Sequence, residues 1–315
     1  MRVRASIGTL GAVGLQDVSM LARPTTAYFL QHSESGCLAR CAYCAQSSSN
    51  PVSKERLSRV LWPACDLESV APLVREAGFE RACLQTVVKP GFLREALEFA
   101  RVLRETGVSA PISVALTPVP RSQLEELRRA GVERIGVGLD AACPAAFAAV
   151  EKPYSWGTYV RFVRDAVRVF GTATVHLIVG LGEGLLDLLQ TMGELTSLGA
   201  DIALFPFTPV RGVRFRGRRP PVEEYRVVQA IRYLLASGRE AGELARVEGG
   251  RLVIADDVLD VPLEAFLTSG CPGCNRPFYT ESPTRIYNYP SIDLLRRDSE
   301  VVREQLERGV RLLGG

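Results

Sequence analysis

Short apolar runs rich in β-branched residues alternate along the chain with longer segments in which apolar residues recur every three or four positions. The first pattern is typical of buried strands and the second of amphipathic helices. The alternation predicts repeated βα units around a parallel sheet. The predicted strands are Thr26–His32, Arg81–Thr86, Pro111–Leu116, Arg134–Leu139, Thr172–Val179, Ile202–Phe207, Arg251–Ala255 and Phe278–Tyr279.

Glycines mark the ends of five predicted helices, where a left-handed residue commonly terminates the helix. With eight strands, the fold is predicted to be a parallel (βα)8 or near-complete TIM-type barrel over residues 26–290. Residues 1–25 are predicted to form an N-terminal extension, and residues 291–315 a charged C-terminal helix. The predicted helices are Leu67–Ala77, Gly91–Thr106, Arg121–Ala130, Ser155–Phe170, Leu185–Leu198 and Val222–Ser237, and the glycines are Gly78, Gly107, Gly131, Gly171 and Gly199.

Composition narrows the class of protein. The 315 residues are 47% hydrophobic, which suffices for a large core. No stretch approaches 18 uninterrupted apolar residues, so no membrane span is expected. The apolar run after Met1 contains glycines and leads directly into Gln16 and Asp17, which argues against a secretory signal. Eight cysteines without an export signal favour reduced thiols in the cytoplasm over a disulfide framework.

The net charge of +3 gives no case for nucleic-acid binding. Five arginines nevertheless lie between Arg211 and Arg219. A solvated loop rim is the favoured interpretation, and a site for an anion or an acidic partner is the alternative.

Three cysteines with the spacing C-x3-C-x2-C follow the first predicted strand, at the end of a barrel where reactive sites form. Cys37, Cys41 and Cys44 predict three thiolate ligands for a [4Fe–4S] cluster whose fourth iron has no protein ligand. A structural zinc site is the alternative, but it normally needs a fourth Cys or His nearby. The nearest histidine, His32, lies on the strand.

With Tyr43 in the aromatic position before the third cysteine, this motif resembles that of the radical S-adenosylmethionine (SAM) superfamily, and Gly36–Ser47 resembles its biotin synthase branch. The resemblance implies that the cluster binds SAM and reductively cleaves it to start radical chemistry. It extends over roughly residues 26–215, through the segments Ala82–Leu84, Arg129–Gly131, Gly138–Asp140 and Ile178–Glu183.

The resemblance also implies roles in SAM binding. Tyr43 is expected to contact the adenine, Asp140 to accept hydrogen bonds from the ribose hydroxyls, and Ile178 to Gly180 to pack near the adenine. Asp140 as a helix cap and Gly180 as a turn glycine are the alternatives.

Biotin synthases bind a second, sulfur-donating cluster through three cysteines and an arginine, and here the resemblance departs. Cys83 keeps the first position, whereas Ser113 and Thr174 occupy the next two and Asp256 falls near the arginine. Cys271 and Cys274 form a late C-x2-C pair beside the predicted eighth strand. We expect Cys83, Cys271 and Cys274 to meet at the open mouth of the barrel and to hold an auxiliary [4Fe–4S] cluster, with the fourth ligand unidentified. A redox pair is the alternative.

The late Cys271-Pro-Gly-Cys274-Asn-Arg-Pro and Tyr287-Asn-Tyr-Pro290 segments resemble the divergent, two-protein lipoyl synthases. That resemblance implies sulfur insertion into an octanoyl chain on a lipoyl-acceptor protein, with a homologous second synthase and a reductant such as ferredoxin as partners. A biotin synthase-like enzyme for a small metabolite or for metallocofactor assembly, and an iron–sulfur carrier, are the alternatives. An apolar channel lined by Leu84, Val114, Phe205 and Phe207 is considered beside plain core roles for these residues.

Overall fold

The computed structural model describes residues 1–314, and its strands follow the predicted alternation with helices. The strands are β1 (Arg2–Ala5), β2 (Thr26–Gln31), β3 (Arg56–Leu57), β4 (Val60–Leu61), β5 (Ala64–Asp66), β6 (Arg81–Gln85), β7 (Ile112–Leu116), β8 (Val132–Asp140), β9 (Ala173–Val179), β10 (Ala200–Pro206), β11 (Ala245–Glu248) and β12 (Arg251–Ile254).

Eight of these strands form the central sheet, in the order β10-β9-β8-β7-β6-β2-β1-β5. Every neighbouring pair from β2 through β6 to β10 is parallel, whereas β1 runs antiparallel to both β2 and β5. The predicted near-complete TIM-type barrel is therefore confirmed. The order starts at β10 and ends at β5, so the sheet has two free edges.

Helices separate the parallel strands, as βα units require. The five glycines predicted to end helices have φ between 66° and 87°. The helices are α1 (Ile7–Ala12), α2 (Leu67–Ala77), α3 (Phe92–Glu105), α4 (Arg121–Arg129), α5 (Pro144–Ala149), α6 (Trp156–Phe170), α7 (Leu185–Ser197), α8 (Val222–Ala236), α9 (Ala241–Leu244), α10 (Ile292–Arg297) and α11 (Ser299–Gly314), with 3₁₀ turns at Asp256–Val258 and Leu263–Phe266.

Two of the predicted strands do not belong to the central sheet. Arg251–Ile254 pairs with β11 in a separate hairpin, because Gly249 and Gly250, with φ of 56° and 81°, form the tight turn that this pairing needs. Phe278–Tyr279 is not a strand. Pro277 lacks an N–H for a strand ladder, and Arg276 and Phe278 both have positive φ.

Residues 267–281 instead bridge from β10, the last parallel strand, to residues that flank β1 and β2. On one side, the N–H of Leu204 in β10 donates to Ser269 Oγ at 3.0 Å. On the other side, the Thr25 N–H donates to Asn275 Oδ1 at 3.0 Å and the Tyr279 hydroxyl donates to Ser6 Oγ at 2.5 Å. This segment takes the place that further strands occupy in a closed barrel.

The two faces of the sheet have different partners. Along β6, Ala82 and Leu84 are fully buried among the helices, whereas Cys83 and Gln85 alternate with them and point to the concave side. Val114 is likewise fully buried in the helix-facing core. Leu84 and Val114 are therefore core residues and do not line an interior channel.

The ends of the chain pack onto this framework. The predicted N-terminal extension contains β1, which pairs with β2 in the central sheet. The C-terminal region forms two helices, α10 and α11, where one was predicted. In residues 1–314, none of the helices combines the length and the hydrophobicity that crossing a membrane demands.

We predict that Gly309→Ala destabilises the protein by ~1–3 kcal/mol. Gly309 is where α11 meets α8, and an added Cβ would clash with the backbone of Glu223 and approach Val227 Cγ2 to 2.9 Å. Gly242→Ala is the matched control, because an added Cβ there has no neighbour within 4 Å. Urea unfolding of both variants checks the prediction, and equal stabilities would contradict it.

Candidate active site

The loop that follows β2 carries the predicted cysteine triad at the carboxyl end of the parallel strands. The Cys37 N–H donates to the Gln46 carbonyl at 2.6 Å, and the Cys44 N–H to the Cys41 carbonyl at 3.3 Å. The N–H of Val88, just beyond β6, donates to Cys37 Sγ at 3.1 Å. The three thiols lie near enough for a charge on one to affect the others. The structure therefore brings together the residues that the motif singled out.

Lys54 holds this loop from within, and the sequence analysis missed it. Its Nζ donates to three backbone carbonyls, those of Ala45, Ser47 and Asn50, at 3.1, 2.6 and 2.9 Å. Gly36 has a φ of 86°, and a Cβ there would lie 2.7 Å from Lys54 Cε. Backbone carbonyls in an irregular loop need partners when they are buried, and one ammonium supplies three donors here.

Asn50 is a second support that the sequence analysis missed. Its Nδ2 donates to the carbonyls of Ala42 at 3.1 Å and Cys44 at 2.9 Å, and its Oδ1 accepts from the Arg214 N–H at 3.1 Å. One side chain thus ties the triad loop to the loop after β10. No local motif marks Asn50 in the sequence, because its partners depend on tertiary structure.

Burial makes two of the three thiols costly to ionise without a metal. Burial raises the pKa of Cys44 to about 12, and burial also raises the pKa of Cys41. All eight cysteines are free thiols. Ligation by iron replaces the thiol proton, so three neighbouring thiols on one loop fit a [4Fe–4S] cluster.

Asp140 ends β8 at the same end of the barrel, with a φ of 68°. Its carboxylate accepts hydrogen bonds from the Tyr43 hydroxyl and from Lys152 Nζ. The Lys152 ammonium, 5% exposed, lies 5.2 Å from the centre of the Tyr159 ring. Although burial opposes it, the Asp140 carboxylate raises the pKa of Lys152. The predicted residues Tyr43 and Asp140 therefore share one buried network, which also contains the unpredicted Lys152.

Ile178 and Gly180 lie at the end of β9, close to this network. Gly180 has a φ of 109°, and a Cβ there would lie 3.1 Å from the Arg218 carbonyl and 3.2 Å from Pro220 Cδ. The Glu183 carboxylate accepts from the N–H groups of Gly180 and Leu181 at 2.6 and 3.0 Å. Only glycine satisfies both the backbone conformation and the close approach at position 180.

Cys83, Cys271 and Cys274 form the second thiol set, and the structure brings all three together. Cys83 lies beside Tyr28 and Ser113 in the sheet, and their hydroxyls lie 3.3 Å from Cys274 Sγ and 3.6 Å from Cys271 Sγ. Cys83 and Cys274 both pack against the cluster of Tyr28, Leu30, Trp62 and Val87. Burial raises the pKa of Cys83 well above its usual value and also raises that of Cys274.

Ser113 and Thr174 complete the surroundings of the second set. The Ser113 hydroxyl donates to Cys271 Sγ at 3.6 Å, and the Thr174 hydroxyl lies 3.3 Å from the same sulfur. Asp256, by contrast, is exposed in a 3₁₀ turn. Cys271 therefore places a thiol beside the two positions where the resemblance had led us to look for cysteines.

The expected position of this set at the mouth of the barrel is wrong. Gly273 O accepts from Thr25 Oγ1 at 2.6 Å, and Pro272 O accepts from Arg81 Nε at 2.9 Å. Thr25 precedes β2 and Arg81 begins β6, so the Cys271–Cys274 turn enters from the amino ends of the strands. Residues 267–281 can make this approach because their path from β10 to the start of β2 is irregular. A regular eighth strand would not bring the turn to the amino ends.

Alternate residues of β9 lead from the second thiol set to the carboxyl end of the barrel. Thr174 contacts Cys271, His176 follows, and Ile178 lies at the carboxyl end, all on the same side of the strand. The His176 ring lies 5.3 Å from that of Phe205, and burial lowers the pKa of His176 to about 4. The side chain between the two thiol sets is therefore a neutral imidazole at physiological pH.

Within residues 1–314, no three His, Cys, Asp or Glu side chains are close enough to hold one metal ion directly. In an iron–sulfur cluster each cysteine binds an iron of its own, so its ligands need not converge on a single point.

Comparisons with known proteins agree with this site. The model of the radical SAM superfamily matches residues 35–195, which is half of the chain and contains the triad loop, Cys83, Asp140 and Gly180. The chain therefore belongs to the radical SAM superfamily. Membership implies an enzyme that uses a [4Fe–4S] cluster and SAM.

Relatives of known name lie in one branch of that superfamily. The chain is 26% identical over 229 residues to a biotin synthase from Prochlorococcus marinus, an alignment that covers 69% of this chain and 64% of that protein. It is 27% identical over 175 residues to a biotin synthase from Wolinella succinogenes, covering 53% and 60%. The matches thus span less than two thirds of these relatives.

Solved structures show the same fold at low identity. Methylornithine synthase superposes with a TM-score of 0.56 at 14% identity, over 74% of this chain and 66% of that one. The FeFe-hydrogenase maturase HydG from Carboxydothermus hydrogenoformans gives 0.56 at 16% identity, over 68% and 52%. These likenesses concern the barrel alone.

We predict that Lys54→Met speeds iron loss from the reconstituted protein by at least about tenfold, because charge-assisted hydrogen bonds contribute about 1.5–3 kcal/mol each. Iron release to a chelator measures the effect. Arg56→Met, a neighbouring exposed basic residue, is the control. Equal release rates for the two variants would remove Lys54 from its supporting role.

A second prediction concerns pH. Unfolded His176 binds a proton near pH 6.5, but the folded residue does so only near pH 4. Stability is therefore lost as pH falls below 6.5, by ~2 kcal/mol at pH 5 from this residue. Urea unfolding at pH 7.5 and 5.0 should show a smaller loss in His176→Gln than in the wild type. His32→Gln is the control at a partly exposed histidine, and equal losses in all three proteins would refute the assignment.

Proposed function

We propose that this protein is a sulfur-inserting radical SAM enzyme of the lipoyl synthase type, acting on an octanoyl chain attached to an acceptor protein. The observation that carries the proposal is the convergence of Cys83, Cys271 and Cys274 on the concave side of the barrel, apart from the triad. Three thiols there would hold an auxiliary [4Fe–4S] cluster.

The comparison with biotin synthases supports this proposal. Biotin synthases use a second cluster as sulfur donor, held by cysteines on barrel strands. Here Ser113 and Thr174 replace two of those cysteines, and Cys271 reaches the same place from a distant part of the chain. Three thiols thus lie beside the positions where biotin synthases have their cluster ligands. This favours sulfur donation by a cluster here too, with a different set of ligands.

At the mouth, the proposed SAM contacts follow the buried network. Asp140 keeps its carboxylate oriented by Tyr43 and Lys152, ready to accept from ribose hydroxyls. Ile178 and Gly180 would pack near the adenine, with the Gly180 backbone held close to Arg218 and Pro220. Lys152 is expected to act through Asp140 as a positioning residue.

When bound, the first cluster with SAM supplies the radical that removes hydrogen, and the auxiliary cluster supplies the sulfur. The protein sets the geometry between them. Thr174 and Ile178 are four residues apart on β9, about 13 Å at ~3.3 Å per residue. An extended acyl chain fits this scale. The neutral His176 packs against the Phe205 ring in the intervening space.

Mass spectrometry tests the substrate. An octanoyl-lysine peptide would be incubated anaerobically with the reconstituted protein, SAM and dithionite, with and without a homologous partner synthase. Replacement of one hydrogen by a thiol on the acyl chain supports the proposal. Formation of 5′-deoxyadenosine without any sulfur-containing product under both conditions would contradict it and favour a small metabolite as substrate.

We predict that Cys271→Ala/Cys274→Ala loses roughly half of its iron and all sulfur transfer but still forms 5′-deoxyadenosine, because the triad is on another loop. Cys83→Ala should behave alike. Cys65→Ala/Cys143→Ala, which changes thiols outside both sets, is the control and should keep both activities.

Iron and sulfide content, melting curves and both product assays would be measured on the same preparations. Full iron and full sulfur transfer in the Cys271→Ala/Cys274→Ala variant would rule out the auxiliary cluster. A lowered melting temperature with parallel loss of both activities would assign the pair a structural role.

A further inference from the structure

The basic residues of this chain are unevenly distributed. Residues 36–54 and 202–222 together contain seven basic side chains and no acidic ones, whereas the whole chain has 38 basic and 35 acidic residues. The first segment is the triad loop with its supports. The second contains the five arginines after β10, which neither SAM binding nor sulfur insertion uses.

Folding joins these two segments into one surface. The Phe215 N–H donates to the Ala42 carbonyl at 3.0 Å, and Arg214 Nη2 donates to the Arg40 carbonyl at 2.7 Å. Gly212 lies against Pro51 and Val52. The arginine loop is therefore part of the structure around the triad and not a detached surface loop.

Four arginines on this surface are exposed and without an ion-pair partner among residues 1–314; we call Arg40, Arg211, Arg216 and Arg218 the arginine rim. Arg214 pairs with Glu151, and Arg219 turns inward to Thr280 O. Glu151, beside Arg214 and Arg40, is one carboxylate against several guanidinium groups, so the rim keeps a net positive charge that suits an acidic surface.

The exposed residues of the triad loop suggest that the partner of the arginine rim delivers electrons. Arg40 lies between Cys37 and Cys41, and Leu38 beside it is 54% exposed. Cys37 itself is only half-buried. A cluster on this loop would have its Cys37 side nearest the surface, where an electron could enter from outside. The exposed Leu38 also lies among basic residues, which gives the apolar centre and polar rim that are typical of protein–protein interfaces.

We propose that the arginine rim docks an acidic, low-potential electron-transfer protein of the ferredoxin type. One electron passes per encounter, which oxidises the donor and reduces the triad cluster, with no proton transferred. The inference rests on membership of the radical SAM superfamily and is independent of sulfur insertion. The alternative partner for the rim is an acidic acceptor protein. Its acyl chain would have to reach the barrel interior, whereas the rim includes part of the triad loop itself, so an electron donor is favoured.

Charge reversal tests the rim. Arg211→Glu/Arg216→Glu/Arg218→Glu would be compared with Arg251→Glu/Arg296→Glu/Arg297→Glu, which changes the net charge equally at exposed positions outside both segments. Stopped-flow absorbance would follow reduction of the cluster by a reduced acidic ferredoxin at low and high salt. Photoreduction by 5-deazariboflavin, a neutral small molecule, reports whether the cluster and fold are intact.

The rim variant should be reduced by ferredoxin at least about tenfold more slowly at low salt, the scale of electrostatic steering. The difference should shrink above 0.5 M salt as charges are screened. Photoreduction should be unchanged, and the control variant should match the wild type.

Three results would overturn the proposal. Wild-type ferredoxin kinetics in the rim variant would do so directly. An equal slowing in the control variant would show a bulk charge effect. Unchanged ferredoxin kinetics with lost binding of an octanoylated acidic acceptor protein would assign the rim to the acceptor. Sulfur transfer is not measured in any of these assays, so their outcome does not depend on the proposed function.

Discussion

The parallel strands β2 to β10 do not close into a complete barrel, and the rest of this structure depends on how the gap between the first and the last of them is bridged. Edge strands need partners or protection. Here residues 267–281 cross from β10 to the start of β2, held by Ser269 on one side and Asn275 on the other. Because the segment is irregular, it reaches inside the barrel and carries Cys271 and Cys274 with it. Bridging the first and last parallel strands and positioning the second thiol set are therefore one structural feature.

The same segment explains the correction to the position of that set. Arg276 is the anchor: its guanidinium lies 4.0 Å from the centre of the Phe205 ring and donates to Ser269 O at 2.6 Å, and its N–H donates to the Tyr28 hydroxyl at 2.8 Å. These contacts hold Arg276 against the middle of β2 and the carboxyl half of β10, while Thr25 and Arg81 hold the preceding turn at the amino ends of β2 and β6. The two thiol sets consequently approach a shared interior from opposite ends of the barrel.

Local patterns predicted most of the fold. The helix Leu67–Ala77 has the predicted bounds, and the triad was evident because its three cysteines are adjacent in sequence. The predictions failed for segments without hydrophobic periodicity and for contacts between residues far apart in the sequence. Nothing near Asn275 indicates its partner Thr25, 250 residues away. The strand β1 is only four residues long, too short for its alternation to be distinguished from a loop. Pairing of that kind is decided by tertiary contacts.

The chain contains three lysines among its 38 basic residues, and all three lie at the mouth of the barrel. Lys54 is close enough to Cys37 and Cys44 for their charges to interact, and Lys152 to Cys41. Lys89 Nζ donates to the His32 carbonyl at 2.6 Å, directly above β2. An ammonium is compact and has three freely directed donors, whereas a guanidinium is a wide planar fork. Arginine serves the exposed surface and also wider buried sites, such as that of Arg226, which donates to the carbonyls of Ile286 and Tyr287. Lysine fits the small spaces between buried carbonyls and thiols, where one positive charge stabilises the thiolates that iron requires.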